Sequence, residues 1–174
     1  NYKWAILCFI AVGFWNTVGA GLLGFSINTP IALYYMQGLN LTAAHGHAAL
    51  FGVYGMLGIG LLLFCLRGLS DRLAWSDALL KPMFWCLNIG LAMMVFISLV
   101  PAGIYQAWAS VSTGMWFARS PEVIHSKVME TLVWMRVPGD VVFAIGTLFL
   151  ALFAWRLLTV RGKARLAAVA ADRA

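Results

Sequence analysis

Charge is scarce in this chain. Only 10% of its 174 residues are charged and 63% are hydrophobic, against about 25% and about 45–50% in a soluble domain. So few ionisable groups cannot cover a water-facing surface, which excludes a soluble globular enzyme and requires an integral membrane protein. Cysteine is scarce too. Cys8, Cys65 and Cys86 all lie in apolar runs without CxxC spacing, so neither a disulfide framework nor a zinc site is indicated, and they read as small buried hydrophobes. The net charge of +6 gives no nucleic-acid signal, because the basic residues sit beside the ends of apolar segments, where they fix topology. No initiator Met or signal-peptide n-region precedes the first apolar run, which opens NYKW in the style of a fragment.

Long apolar runs are what the chain does have. They predict an all-α, polytopic membrane bundle with spans near residues 4–27, 41–66, 82–108 and 127–158, each long enough at about 1.5 Å per residue for a hydrocarbon core of roughly 30 Å. Asn28, Thr29 and Pro30 interrupt the first run. Residues 31–40 read as an uncharged loop whose Tyr34 and Tyr35 suit a membrane interface, and Thr42 reads as the N-cap of the second span. Pro82 is expected to start the third span, and Pro101 to kink or end it. Residues 110–126 read as a linker with a solvated His125, and residues 161–174 as a loosely ordered tail. Lys3, the charged segment 67–81 and the tail with Arg161, Lys163 and Arg165 fall on one side of a four-span bundle. By the positive-inside tendency that side, with the C-terminus, is cytoplasmic.

Residues 41–67, LTAAHGHAALFGVYGMLGIGLLLFCLR, hold His45 and His47, two of only three histidines. A helix turns about 100° per residue, so the two imidazoles point about 200° apart and cannot share a metal ion. Each can hold a different one on nearly opposite faces of the helix, and imidazole is a common axial ligand of haem iron. Hydrogen-bonded packing is the bland alternative, and two histidines separated by one glycine with no acid nearby favour ligation over it. Gly46, Gly52, Gly55, Gly58 and Gly60 thin the helix surface for a neighbouring helix or a flat macrocycle, and packing is the reading for the last two.

The fourth span carries Glu130, Arg136 and Asp140. A charge at mid-bilayer costs roughly 2.5–3.5 kcal/mol, so such groups pair or face a cavity. Arg136 and Asp140 are four apart and can neutralise each other. Alternatively, Asp140 accepts a proton or hydrogen bond from a ligand arriving through the lipid, and Arg136 faces an anionic group such as a haem propionate. Pro138 and Gly139 loosen the helix between them. Glu130 reads as interfacial.

GAGLLGFSINTPIALYYMQGLN followed by LTAAHGHAALFGVYGMLGIGL resembles the catalytic subunit of bacterial nitric oxide reductases, in the haem-copper oxidase superfamily. YYMQGLN and EVIHSKVMETLVWMRVPGD look more like the single-chain, quinol-dependent branch. The likeness runs from about residue 11 to 155 and implies the last four spans of a 12-helix fold in the bacterial inner membrane. It implies that His45 is the axial ligand of a high-spin haem b and His47 of a low-spin haem b. It places Asp140 at a quinol pocket, while Arg136 has no certain role beyond a haem propionate or that pocket. The non-haem iron ligands, three histidines and a glutamate, would belong to the remainder of the same chain. Implied partners are quinol, nitric oxide and the lipid bilayer, with monomer or homodimer left open. The implied reaction couples two NO to N2O and water with electrons from quinol. Alternatives are a cytochrome-c-dependent NO reductase, an oxygen-reducing oxidase, a non-catalytic membrane cytochrome, or a plain structural bundle.

Overall fold

The computed structural model describes residues 2–69 and 75–171, with side chains described as far as residue 160. Asp71 and Arg72 of the charged segment, and the side chains of Arg161, Lys163 and Arg165, lie outside the described residues. The described chain is helical and contains no strand. Four stretches are long and apolar enough to cross a membrane: α1 (Lys3–Asn28), α3 (Asn40–Leu69), α4 (Asp77–Ser112) and a broken fourth made of α6 (Lys127–Trp134) and α7 (Val137–Ala171). Two short helices, α2 (Pro30–Met36) and α5 (Pro121–Ile124), lie in the connections at one end of the bundle.

Several local expectations are corrected. Residues 31–40 are mostly helix, because Pro30 at the first helical position presets φ for a short turn that Gly38 then ends at φ +73°. Thr42 does not cap α3. It lies inside the helix, its N–H donating to Leu39 O at 2.9 Å. The orphan N–H at this end belongs to Asn40, which donates to Gln106 Oε1 at 2.9 Å through its backbone and at 3.0 Å through its side chain. A residue 66 positions away on α4 thus performs the capping. Pro82 stands inside α4, not at its start. Pro101 does not end that helix either, for a wider π-helical stretch, Met94–Leu99, precedes it and carries the helix on to Ser112. Residues 113–126 are a compact connection in which Ser126 caps α6, its Oγ accepting from Met129 N. The tail continues α7 as helix to Ala171, as its alanines favour.

Helix α4 is the centre of the bundle. Half of its most apolar window is buried, against 17–28% in the other spans. It runs along α7 at a distance only glycine permits: a Cβ on Gly90 would stand 2.5 Å from Phe143 N. Between them and α1 lies a core of Trp4, Cys8, Trp15, Met56, Leu87, Leu91 and Phe153. Asn88 is its polar node, accepting from Trp15 Nε1 at 3.0 Å and donating to Phe84 O at 2.9 Å, so the amide is satisfied inside the apolar interior. Of the cysteines, Cys8 is buried, Cys86 is half-buried and Cys65 is exposed. Cys65 falls on the face of α3 that shows Leu61, Leu62 and Phe64 outward, so a hydrophobic cysteine in a membrane helix has no need of the core.

Candidate functional site

His45 and His47 fall at the α2 end of α3, held there by the Gln106 contact and by α1, which crosses the same helix. Both rings are half-buried and they depart to different neighbours. The Nδ1 atom of His45 lies 2.9 Å from Gly19 O on α1, and Nδ1 of His47 lies 2.9 Å from Ala43 O, one turn back on α3. A carbonyl oxygen only accepts, so each Nδ1 carries the proton and donates it. Each Nε2 is therefore left with an in-plane lone pair, the tautomer a metal-binding imidazole needs, with its other nitrogen fixed by a backbone acceptor.

What stands beyond the two Nε2 atoms differs. His45 Nε2 has no hydrogen-bond partner among the described residues. The ring borders a cavity of about 450 Å³ lined also by Asn16, Ala20, Gly46, Ala49, Leu50, Val53 and Tyr54. The lining is mainly apolar, which suits a hydrophobic ligand with one point of attachment. Gly24 leaves room for the imidazole on the α1 side, where a Cβ would stand 2.8 Å from His45 Cε1. On both helices a π-helical stretch adjoins the pair, Asn16–Leu23 in α1 and Ala48–Gly55 in α3. Single wide turns of this kind are frequent at functional positions because they re-aim side chains.

His47 turns toward the fourth span. Its Nε2 accepts from Arg136 Nη2 at 3.2 Å, and Arg136 Nε donates to Asp140 Oδ1 at 3.1 Å. Arg136 can reach His47 because the span breaks there. Pro138 cannot donate to Trp134 O, so α6 ends at Trp134, two residues turn, and α7 begins at Val137. The i,i+4 ion pair of Arg136 with Asp140 is thus formed, with both side chains partly exposed. It is one half of a three-residue network, since the same guanidinium bridges to the histidine.

The structure brings His47, Arg136 and Asp140 together, leaves His45 against α1, and keeps Glu130 and His125 elsewhere. Those two are exposed and border a different cavity of about 320 Å³, together with Ile124 and Val133. Among the described residues, no three or more His, Cys, Asp or Glu side chains converge on a point. Of the expected packing glycines on α3, Gly60 meets Phe9 and Cys8, while Gly58 faces open space. Sequence reasoning missed Gly19 and Gln106, whose contributions are a carbonyl and a helix cap reached across the bundle. The Ala43 carbonyl was findable, lying four residues before His47 on a helix.

Residues 1–142 match the family model described as Cytochrome C and Quinol oxidase polypeptide I. A relative from Stutzerimonas stutzeri, named as a subunit of nitric oxide reductase, is 29% identical over 140 residues, which are 74% of this chain. The chain spans about 28% of that relative's length.

Proposed function

Because the chain belongs to the cytochrome c and quinol oxidase polypeptide I family, we propose that it is the part of a quinol-dependent nitric oxide reductase that carries the axial histidines of two haems. In that reading His47 holds a low-spin haem b. His45 holds a high-spin haem b beside a non-haem iron whose ligands lie in the remainder of the chain. The enzyme reduces two NO with two electrons and two protons to N2O and water, and quinol gives up both electrons and both protons. It works in the bacterial inner membrane, with the histidine end toward the outer half and the C-terminus cytoplasmic.

The observation that carries this reading is a pair of imidazoles two residues apart on α3, each with Nδ1 held by a different backbone carbonyl, Gly19 O and Ala43 O. The donor set fits haem. One imidazole per ion, with no group of three or more His, Cys, Asp or Glu among the described residues, is too little to hold a bare metal cation and suffices for an iron whose equatorial plane is filled by a porphyrin. The mainly apolar cavity at His45 fits the same group. When bound, haem supplies one-electron transfer and a coordination position for a small gas. The chain's own residues do the rest. Gly19 and Ala43 carbonyls fix ring orientation and tautomer and raise ligand basicity. Ala49, Leu50 and Val53 line the His45 side with apolar surface. Asp140 Oδ2 has no hydrogen-bond partner among the described residues and is free to accept from a quinol hydroxyl, while Oδ1 stays on Arg136.

A second reading draws on the relative being named as a subunit: a partner protein then delivers the electrons in place of quinol. Donor assays on the full-length enzyme in detergent separate the two. Quinol-driven NO consumption supports the first reading, and turnover only with reduced cytochrome c supports the second. Reduced-minus-oxidised spectra of His45→Ala and His47→Ala variants test the ligand assignment, each losing a different haem band. Two unchanged spectra would sink it.

A further inference from the structure

Helices α1 and α4 start side by side and run parallel in constant register. Trp4 Nε1 donates to Asp77 Oδ1 at 2.9 Å, and about three turns further on Trp15 Nε1 donates to Asn88 Oδ1 at 3.0 Å, each bond joining residues 73 apart. Between the two helices lies an apolar groove of about 370 Å³, lined by Leu7, Ile10 and Phe14 of α1 and by Phe84 and Trp85 of α4. Ile10, Phe14 and Trp85 stay more than half exposed. Asn16 and Ala20, which border the His45 cavity, fall on the other side of α1, so the groove is no part of that cavity.

The groove has a charged mouth. Lys3 stands one turn before Leu7 on α1 and Lys81 one turn before Trp85 on α4, so both lysines share the groove faces at the end where the helices begin. Both are exposed, and neither has an ion-pair partner among the described residues. Lys3 Nζ lies over the Trp4 ring, 5.1 Å from its centroid. Asp77 shares the α4 face, and its Oδ1 already accepts from Trp4. Two cations against one carboxylate leave the mouth with one net positive charge. The starts of α1 and α4 also lack a side-chain cap, so their first N–H groups add to an anion-attracting field. From Lys3 to Phe14 the helix rises about 16 Å, close to half of a hydrocarbon core of roughly 30 Å. The groove is one leaflet deep.

We propose that this groove binds one anionic phospholipid, with an acyl chain along Leu7, Ile10, Phe14 and Trp85 and the phosphodiester at Lys3 and Lys81. A covering protein helix would satisfy the apolar walls equally well but would leave two ammonium groups without a counter-ion. A zwitterionic lipid would bring a further cation to the mouth. A singly charged phosphodiester matches the net charge, and the lysine stems can lie along the groove while their heads reach the phosphate.

The experiment uses full-length protein in phosphatidylcholine vesicles doped with a trace of either phosphatidylglycerol or phosphatidylcholine carrying a diazirine on an acyl chain, and maps the labelled residues by peptide mass spectrometry. The proposal expects phosphatidylglycerol to label Leu7, Ile10, Phe14 and Trp85 about fivefold more than phosphatidylcholine does, the effect of one net charge at a membrane surface. Leu148, Leu152 and Trp155, exposed on α7, should label equally with both. In the double variant Lys3→Gln with Lys81→Gln the preference at the groove should vanish while labelling on α7 stays as in wild type, which shows that the variant is folded. Equal labelling of the groove by both probes in wild type means ordinary bilayer lipid only and overturns the proposal. So does a groove that neither probe labels, because another segment or a second copy then covers it, and so does a preference that survives loss of both lysines.

Discussion

His47 and Arg136, 89 residues apart in sequence, meet at 3.2 Å through the imidazole Nε2 and a guanidinium N–H. The contact joins the second span to the broken fourth and makes the fourth-span ion pair part of the histidine site. Changes at 136 and 140 are therefore felt at 47.

Replacing Asp140 with Asn removes the carboxylate charge and leaves Arg136 Nε a neutral amide oxygen in place of its ion-pair partner. Quinol KM should rise several-fold if Asp140 receives the quinol hydroxyl, and by more than the KM for an artificial one-electron donor. Steady-state kinetics with both donors on the same preparation give the answer, and an unaltered quinol KM leaves Asp140 with the ion pair alone.

Gly24 is the space His45 occupies. A methyl there would stand 2.8 Å from Cε1, so Gly24→Ala must push the ring off the Gly19 carbonyl, at a cost of about 1–3 kcal/mol for overpacking. The high-spin haem band should weaken while the low-spin band stays, as read in a reduced-minus-oxidised spectrum.

Gly90 sets how closely α4 approaches α7. A methyl on it would stand only 2.5 Å from Phe143 N and 2.8 Å from Phe143 Cα, and a neighbour that is backbone cannot swing away. Gly90→Ala should destabilise the bundle by about 1–3 kcal/mol, visible as a lower midpoint in thermal or detergent-induced unfolding, and Gly90→Leu should abolish assembly.

Gln106 caps α3 from across the bundle. Gln106→Leu removes two hydrogen bonds to Asn40 and strands a helix N–H in an apolar setting, a loss of about 1–3 kcal/mol. Hydrogen exchange should quicken at residues 40–43, the turn immediately before His45, and haem retention should fall at both histidines together.

Much of this was legible in the residues themselves. Hydropathy marks four stretches because a bilayer leaves an apolar chain little alternative to helix, and four helices long and apolar enough to cross a membrane are found, the third beginning at Asp77 and not at Pro82. The divergence of His45 and His47 follows from helical pitch alone. Pro138 announces the break in the fourth span. Contacts between spans were not legible: nothing in the sequence says that Gln106 reaches Asn40, that Gly19 lends a carbonyl to His45, or that Arg136 points at His47 as well as at Asp140. Proline is a weaker terminator here than its chemistry suggests, for Pro82 and Pro101 are both absorbed within α4, where neighbouring helices repair what an isolated helix would lose.

The wide turn at Ala48–Gly55 follows the two histidines directly. A turn that contains extra chain acts as a phase offset, so the side chains beyond it are rotated relative to an unbroken α-helix. Deleting a single residue from that stretch would swing everything from Met56 onward by about 100° and carry Gly60 away from Phe9. The imidazoles themselves would be left untouched. Their aim and the packing of the rest of α3 can thus be uncoupled by changing the length of the chain and not its chemistry.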